Sequence, residues 1–427
     1  MKKIESIELL SSKRDVFTLL ALLLFLLFLS LSYQYYKYHE LTKFDSQLVN
    51  AVVLKQYTKT KQTKKGKLKR YEVLKLRSND GFTFYTTASK NLKNIKNKTI
   101  KLEIWAGKIS FYEYMRTFFA FSKIIKIYDE NSLMSRVSNV IATQHRDKNV
   151  TAVYEALFLA KPLPRNLQIQ FSNLGISHLI AISGFHLGVL SFILFLLLKY
   201  PYKFLQNRYF PYRSYTKDSF TITAFILLTY MLFLSTPPSL LRAFIMLVVG
   251  FILYERGMKI ISMQTLGITI LLILALFPKL LFSIGFWLSV SGVFYIFLFF
   301  IYFNHYSKVK QFLLIPFWVY LLMLPYSLTI FGNFSLYHPL SILYSTLFTL
   351  FYPLALFLHL FGFGNLLDPI VNLLLNAKLN AVQEHLNISY LFVEIILSLL
   401  SVFSRKALWL LLIYVGSIFI YFIYNVA

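Results

Sequence analysis

Long apolar runs separated by short polar segments make up most of the chain. The first run, from Val16 to Tyr33, is VFTLLALLLFLLFLSLSY. About 20 apolar residues are enough for a helix to cross the hydrocarbon core of a bilayer. Further apolar runs lie near residues 179–198, 219–234, 239–254, 264–282, 284–303, 312–331, 340–362, 388–403 and 407–425. The pattern predicts a polytopic α-helical membrane protein with about ten membrane segments, the shorter of which also suit re-entrant or interfacial positions.

The first apolar run is not followed by a cleavage site of the A-x-A type, because Tyr35, Tyr36 and Lys37 come soon after it. We therefore interpret residues 16–33 as a retained first transmembrane helix rather than a signal peptide. Residues 1–15 carry the basic side chains of Lys2, Lys3, Lys13 and Arg14. This excess of positive charge favours a cytoplasmic N-terminus.

The largest polar region, residues 34–170, begins with a β-type pattern. LVNAVVLKQY, KRYEVLKLRS, GFTFYTTAS and KTIKLEIWAG are short runs rich in Val, Tyr, Phe, Thr and Ile, separated by polar or Gly-containing breaks. They predict four or five short antiparallel strands over residues 45–130. A small all-β barrel of the OB type fits this length, since such a barrel closes a core from few strands and often binds single strands of nucleic acid. It is predicted to be extracytoplasmic.

Two segments mix apolar and polar residues at helical spacing without reaching the length of a span. Residues 131–170 predict amphipathic helices lying on the outer leaflet, and residues 366–387 predict similar helices on the inner side. Residues 171–427 then form the predicted transmembrane domain.

Composition agrees with a membrane protein and narrows the chemistry. Of the 427 residues 57% are hydrophobic, the mean hydropathy is +0.59, and cysteine is absent. The absence of cysteine excludes disulfides, thiolate nucleophiles and cysteine metal sites. The sequence also lacks H-x-H, H-E-x-x-H, G-x-x-x-x-G-K-[ST] and G-x-S-x-G motifs. We therefore predict no catalytic residues, metal or cofactor, and a conduit or binding protein rather than an enzyme.

The net charge of +26 is concentrated in the β region. Residues 47–110 contain 16 Lys and Arg and 3 acidic residues, a net charge of +13. The side chains best placed to neutralise phosphates are Lys55, Lys59, Lys61, Lys64, Lys65, Lys67, Lys69 and Arg70. The aromatic residues Tyr71, Phe82, Phe84, Tyr85 and Trp105 are candidates for base stacking, although most of them suit the core of a small barrel better.

Basic residues in the short loops predict the membrane topology. Residues 199–218, Arg256 with Lys259, and Lys308 with Lys310 fall on the cytoplasmic side if each long run crosses once. Arg405 and Lys406 then fall outside, which contradicts the rule and calls the last two spans into question.

Polar residues interrupt the apolar runs at a few places. Treated as one helix, residues 177–191 place Ser177, Ala181, Gly184, Gly188 and Ser191 on one face, a stripe of small residues that suits close helix packing or the wall of an aqueous path. His178 and His186 flank that stripe.

Arg242 lies about one turn into a second apolar run, where it either reaches the outer headgroups or faces the bundle and meets a phosphate. Ser289 and Ser291 lie in a third run. Glu394 is an acidic residue within an apolar run, where it either pairs with a cation or marks a surface helix, and we favour the surface helix.

Four segments, in order, resemble the ComEC family of bacterial competence proteins. They are LGISHLIAISGFHLG (Leu174–Gly188), PPSLLRAFIM (Pro237–Met246), LFSIGFWLSVSGV (Leu281–Val293) and FGNFSLYHPLS (Phe331–Ser341). Many members carry a C-terminal metallo-β-lactamase-like domain with an H-x-H-x-D-H motif. That motif is absent here, so the chain resembles a short form of the family.

The resemblance implies a multi-pass channel in the bacterial inner (cytoplasmic) membrane that passes single-stranded DNA into the cytoplasm during natural transformation. It implies as partners single-stranded DNA, membrane lipids, a cytoplasmic helicase-type motor and a periplasmic or surface DNA receptor, and leaves a homodimer open. The residues expected to line or gate the path are Ser177, His178, Ser183, Gly184, His186, Gly188, Arg242, Ser289 and Ser291.

Two alternatives remain from the residues themselves. A transporter or flippase for another anionic substrate, lipid-linked or from the envelope, would also use Arg242 and a basic outer domain. A membrane anchor for a nucleic-acid-binding domain would need no polar groups inside the apolar runs.

Overall fold

The computed structural model describes residues 12–62, 68–89, 92–93, 95–96, 98–128, 133–180, 182–234, 236–257, 261–377 and 381–426. The α-helices are α1 Lys13–Thr42, α2 Phe111–Met115, α3 Leu133–Thr143, α4 Lys148–Leu159, α5 Arg165–Asn173, α6 Ser177–Ile180, α7 Gly184–Tyr209, α8 Tyr215–Phe233, α9 Pro238–Glu255, α10 Met263–Leu276, α11 Ile284–Phe303, α12 Lys308–Phe331, α13 Ser341–Leu360, α14 Asp368–Leu375, α15 Ile388–Ser401 and α16 Arg405–Val426. The strands are β1 Gln47–Gln62, β2 Leu68–Ser78, β3 Thr83–Ala88, β4 Thr99–Trp105, β5 Thr117–Phe119, β6 Phe121–Tyr128, β7 Asn333–Phe334 and β8 Val382–Gln383. Short 3-10 helices cover Pro278–Phe282, His338–Leu340 and Gly364–Leu367.

The protein is mostly helical, with a small β-sheet near its N-terminus. Within the described residues, six helices are long and apolar enough to cross a membrane: Lys13–Thr42, Gly184–Tyr209, Ile284–Phe303, Lys308–Phe331, His338–Leu360 and Arg405–Asn425. Shorter apolar helices cover Met263–Leu276, Gly364–Leu375 and Ile388–Ser401. The chain is thus a multi-pass α-helical membrane protein, and the figure of ten segments stays a prediction.

The chain divides into two compact units. The first contains residues 12–139 with 271–283, and the second contains residues 140–270 with 284–427. We call them the β unit and the helical unit.

The sheet of the β unit has six strands in the order β5-β3-β2-β1-β4-β6. All neighbours are antiparallel except β3 and β5, which are parallel. Only Ala120 separates β5 from β6 in the chain, so one continuous segment, residues 117–128, pairs with both ends of the sheet. The sheet is therefore closed into a ring of strand pairings.

Alternation along the strands fills the interior of this ring, because successive side chains of a strand point to opposite faces. In β4, Ile100, Leu102 and Ile104 are buried while their neighbours are not. The same core contains Val49, Ala51, Val53, Leu74, Leu76, Phe82, Phe84, Tyr114 and Phe118.

The hairpin of β1 and β2 continues beyond this core. β1 pairs with β4 only over Gln47–Val52, and β2 pairs with β3 only over Glu72–Arg77. Residues 59–62 and 68–71 therefore pair only with each other in the described part of the sheet. We call this extension of the hairpin, residues 55–62 of β1 and 68–71 of β2, the arm.

In the helical unit, the first turns of α7, α9 and α11 lie together. The Ser239 hydroxyl donates to the Ile182 carbonyl at 2.8 Å, and the Arg242 guanidinium donates to the Gly285 carbonyl. We call this end of the helical unit the motif end.

The opposite end of the helical unit carries basic loops. Lys217, at the start of α8, forms an ion pair of 3.0 Å with Glu255, at the end of α9. The Tyr302 hydroxyl, at the end of α11, donates to the Ser401 carbonyl at the end of α15. We call this end the basic end, since the turns before α8, α12 and α16 all lie there.

The last two helices form a hairpin between the two ends. The ring of Phe334, just after α12, lies 5.6 Å from that of Phe422 near the end of α16. Since α16 ends at the motif end, Arg405 and Lys406 at its start lie at the basic end. Arg405 and Lys406 therefore lie on the same side as the other basic loops. They fall on the opposite side only if every apolar run is counted as one crossing.

The prediction that residues 131–170 and 366–387 lie on opposite leaflets is wrong. The Gln170 amide donates to the carbonyls of Leu374 and Ala377 at 3.2 and 2.6 Å, and β7 pairs with β8. Both segments pack on the same side because α13, α14 and the residues after them leave the end of α12 and return to it.

Candidate functional site

The segment from Ser177 to Ser191 is broken rather than one helix. α6 ends at Ile180, and α7 begins at Gly184 with Ser183 as its N-cap. The Ser183 side chain accepts from the Phe185 amide at 3.3 Å, and His186 Nδ1 accepts from the Ser183 amide at 3.2 Å. The continuous small-residue stripe expected from the sequence is therefore wrong, because this cap ends one helix and starts another.

The two glycines of α7 differ in their surroundings. An ideal Cβ on Gly184 would lie 3.0 Å from the Cβ of Ala243 on α9, whereas one on Gly188 would meet no described atom within 4 Å. Gly184 thus permits the close approach of α7 and α9. Gly188 is exposed in the helical unit.

Two histidines beside the break lie in different environments. His178 is exposed, and its Nε2 lies 3.3 Å from the hydroxyl of Ser345 on α13. His186 is buried, with its ring 4.6 Å from that of Tyr352 and 5.1 Å from that of Phe348. Ser177 is also exposed. Ser177 and His178 thus lie at the surface of the helical unit, whereas His186 packs the start of α7 against α13.

Arg242 faces the bundle. Its side chain is 7% exposed, it donates to the Gly285 carbonyl, and its guanidinium lies 5.9 Å from the centre of the Phe286 ring. Its Nε has no hydrogen-bond partner within the described residues. A buried guanidinium with an unused donor is a group that an anionic ligand would satisfy.

The fourth motif segment contacts the start of the first and the residues just before it. Gly175 has φ +72°, and an ideal Cβ there would lie 3.1 Å from the ring of His338. His338 Nε2 lies 3.0 Å from the Ser172 carbonyl, and the Asn333 amide donates to the Ser172 hydroxyl at 2.9 Å. All four motif segments therefore meet at the motif end, although the hydrogen bonds that join this region span up to 166 residues of the chain.

The serines of α11 lie deeper along that helix. Ser289 and Ser291 are both half-buried. Their position on the helix whose first turn holds the Arg242 contact keeps them among the candidates for the lining of a path.

Glu394 is not on a surface helix. Its side chain is fully buried, and the Tyr295 hydroxyl donates to its Oε1 at 3.2 Å while lying 2.9 Å from the Ser398 hydroxyl. The sequence prediction for Glu394 is wrong because its partner Tyr295 lies 99 residues away on α11, where no local pattern reveals it.

The structure also brings together polar groups that the sequence analysis did not single out. His145, His359 and Asp368 hydrogen-bond to one another in the helical unit. The first is 214 residues from the second and 223 from the third, so no spacing signal marks them.

In the β unit, the arm carries the basic run. Lys55, Lys59 and Arg70 are exposed on its two strands. Lys61 and Lys69 face each other in the strand register. Lys64, Lys65 and Lys67 lie outside the described residues.

The candidate stacking residues divide between core and surface. Phe82 and Phe84 are buried in the core, as expected for a small barrel. Trp105 is 43% exposed, and Tyr71 and Tyr85 are half-buried. Trp105 is thus the most accessible of the five.

A second cationic region in the β unit surrounds Lys279. Its ammonium lies 4.1 Å from the centre of the Tyr114 ring. Burial, together with the positive charges of Lys37 and Arg77, lowers the pKa of Lys279 to about 8. An anion bound beside these groups would reduce their mutual repulsion.

Comparison with known proteins identifies the family. Residues 160–426, which contain all four motif segments, match the sequence model described as Competence protein. The chain belongs to this family. No curated protein and no solved structure matches it. Membership in the competence family indicates a role in DNA uptake for transformation.

The described residues contain no group of three or more His, Cys, Asp or Glu side chains arranged to hold a metal ion.

Proposed function

We propose that this competence protein is an inner-membrane channel that passes single-stranded DNA into the cytoplasm, and that the arm of its β unit engages the DNA. The observation that carries the proposal is the meeting of four separate family segments, one of which holds buried Arg242, at one end of the helical unit. A guanidinium is suited to phosphate oxygens because it presents several donors in a planar fork.

The β unit supports the same substrate. Its closed order of strands, with a parallel β3–β5 pair, is the arrangement that we interpret as OB-like. Folds of this type bind single strands through a basic groove and aromatic side chains, with little dependence on sequence. Lys55, Lys59 and Arg70 on the arm and the exposed Trp105 supply both kinds of contact.

The orientation follows from the basic end. We place the loops before α8, α12 and α16 in the cytoplasm, because Lys and Arg in short loops favour that side. The basic residues at the start of the chain favour the same side for the N-terminus, so the sheet that follows α1 in the chain would be extracytoplasmic.

Other proteins complete the proposed process. A cytoplasmic helicase-type motor supplies energy, a periplasmic or surface receptor delivers DNA, and another protein degrades the second strand. We assign no catalytic step to this chain.

The test of the proposal compares two triple variants of the full chain in detergent. The arm variant is Lys55→Gln, Lys59→Gln and Arg70→Gln, and the matched control is Lys43→Gln, Lys108→Gln and Lys123→Gln. All six side chains are exposed in the β unit, and both variants lose the same charge. Binding of a fluorescent single-stranded oligonucleotide is measured across a salt series, and transformation is measured in the native host.

Of the two variants, we expect only the arm variant to bind the oligonucleotide weakly. Each phosphate contact on a single strand contributes about 0.7 to the slope of log affinity against log salt, so the slope falls by about 2 when three contacts are removed. Equal losses in both variants would show that only total charge matters. If the arm variant loses binding of an anionic phosphatidylglycerol probe but keeps binding of the oligonucleotide, the result would instead favour the anionic-lipid transporter. Normal transformation by the arm variant would contradict the role of the arm.

A further inference from the structure

A buried chain of hydrogen bonds joins three distant parts of the helical unit. His145 follows α3, His359 lies in the last turn of α13, and Asp368 begins α14. His145 Nδ1 is 2.8 Å from Asp368 Oδ1, and His145 Nε2 is 3.0 Å from His359 Nε2. His359 Nδ1 is in turn 2.6 Å from the Ala355 carbonyl oxygen.

The acceptors at the two ends of this chain fix its protons. A carbonyl oxygen only accepts, so His359 must carry a proton on Nδ1. A carboxylate likewise only accepts, so beside an ionised Asp368 His145 also carries a proton on Nδ1. Neutral imidazoles protonated on Nδ1 would place two lone pairs opposite each other across the 3.0 Å between the Nε2 atoms.

One additional proton resolves this conflict. Placed between the two Nε2 atoms, it gives one positive charge, which the Asp368 carboxylate balances. The alternative arrangement, a protonated Asp368 donating to Nδ1 of a His145 that carries its proton on Nε2, contains the same number of protons. In either form the contact requires one proton more than a carboxylate and two neutral histidines supply.

Neighbouring groups hold the three side chains in place but do not provide a charge that could replace the additional proton. Tyr154 on α4 lies against both rings, at 4.6 Å from His145 and 4.4 Å from His359. Burial, and then the charge of Asp368, raises the pKa of Tyr154, so that its hydroxyl stays neutral. The charged residues next to His145 in the chain, Arg146, Asp147 and Lys148, are exposed.

A second pair of hydrogen bonds fixes the same junction. The Gln144 amide nitrogen donates to the His359 carbonyl at 3.1 Å, and its oxygen accepts from the Gly364 amide at 2.9 Å. A Cβ on Gly364 would lie 2.6 Å from this Gln144 oxygen and 2.7 Å from His359 Nε2. The junction therefore leaves no room for a side chain at position 364.

The geometry points to a proton-binding site: His145, His359 and Asp368 form a proton latch that fastens the α3–α4 turn to the end of α13 and the start of α14. Binding of one proton closes the latch. As the pH rises and that proton is lost, the two Nε2 lone pairs repel each other and the turn is released from α13.

Two substitutions separate the proton requirement from the need for contact. In Asp368→Asn the amide donates to His145 Nδ1, so His145 carries its proton on Nε2 and donates it to His359. In His359→Gln the amide donates to His145 Nε2 while Nδ1–H still donates to Asp368. Each variant keeps the hydrogen bonds with no additional proton, so each should stay closed at all pH values.

The experiment measures the distance across the latch in the full chain. Because the protein has no cysteine, spin labels attach only at Ala142→Cys and Leu366→Cys, two exposed positions on either side of the latch. Distance distributions are recorded in detergent from about pH 5 to about pH 9, a range that brackets the titration of histidine. No DNA is present, so the result is independent of the proposed channel function.

We expect one narrow distance at low pH and a longer, broader distribution at high pH. Asp368→Asn and His359→Gln should stay narrow throughout, and His305→Gln, which changes an exposed histidine of the same unit, should behave like the parent. A distribution that does not change with pH in the parent overturns the latch. Broad distance distributions at every pH in Asp368→Asn and His359→Gln also overturn the latch. A stoichiometric transition metal whose removal by a chelator opens the latch would overturn the proton in favour of a metal between the two Nε2 atoms.

Discussion

At the scale of the residue, the side chains that matter most here are buried polar groups whose partners are distant in the chain. Arg242 reaches Gly285 on another helix, and Glu394 meets Tyr295 across 99 residues. A hydrogen bond that involves a charged group, such as that of Arg242, stabilises a protein by about 1.5–3 kcal/mol, more than an ordinary one. The Arg242 contact therefore helps to hold the first turns of α9 and α11 together.

Two substitutions of Arg242 should distinguish the effect of its positive charge from the effect of its planar set of hydrogen-bond donors. Arg242→Gln loses both the charge and the geometry, and should reduce transformation by about tenfold or more, the effect of about 1.4 kcal/mol. Arg242→Lys keeps the charge and should fall between this variant and the parent, because an ammonium is only a point donor. The measurement is the frequency of transformants, together with labelled DNA recovered in the cytoplasm at equal protein levels.

The control for Arg242 lies at the other end of the same helix. Arg256 is exposed, just beyond Glu255, and Arg256→Gln should leave transformation unchanged. If Arg242→Gln also transforms normally, Arg242 does not belong to the path.

At the scale of the element, apolar periodicity predicted the long helices well and their breaks poorly. α11 and α16 coincide with apolar runs, because length and hydropathy suffice to mark them, whereas α1 contains the run 16–33 but continues beyond it to Thr42. The break before α7 was missed because Ser183 and His186 cap that helix, whereas the usual sign of such a cap is a Glu or Gln three residues after the Ser. The β unit was predicted as strands, but not the parallel pairing of β3 with β5, which depends on the closure of the sheet.

Two serine caps distinguish a general loss of helix stability from a specific effect on uptake. Ser183→Ala and Ser307→Ala each remove an N-cap side chain, from α7 and α12. Each should lower stability by about 1 kcal/mol, measured by thermal unfolding through tryptophan fluorescence in detergent. Only Ser183→Ala should also reduce DNA uptake, because Ser183 lies at the motif end and holds His186. Equal uptake by the two variants at equal stability would argue against a role for the motif end.

At the scale of the whole molecule, one pair of elements decides the topology of all that follows. α13 leaves the end of α12, and residues 361–383 return to it, as the β7–β8 pairing shows. A count of apolar runs treats α13 as a single crossing and reverses the side of every later loop. Hydropathy alone does not reveal this return, because it depends on contacts between residues 170–173 and residues 333–377.

Single cysteines test this topology, since the natural chain contains none. Tyr212→Cys, Val309→Cys and Phe403→Cys place exposed thiols at the basic end, and Leu336→Cys and Tyr337→Cys place them at the motif end. Intact spheroplasts are treated with a maleimide that does not cross membranes, before and after permeabilisation. We expect the motif-end pair to react at once and the basic-end set only after permeabilisation. The informative position is Phe403, because a single crossing by α13 would make it react together with Leu336, and that result would overturn the return of residues 361–383 to the motif end.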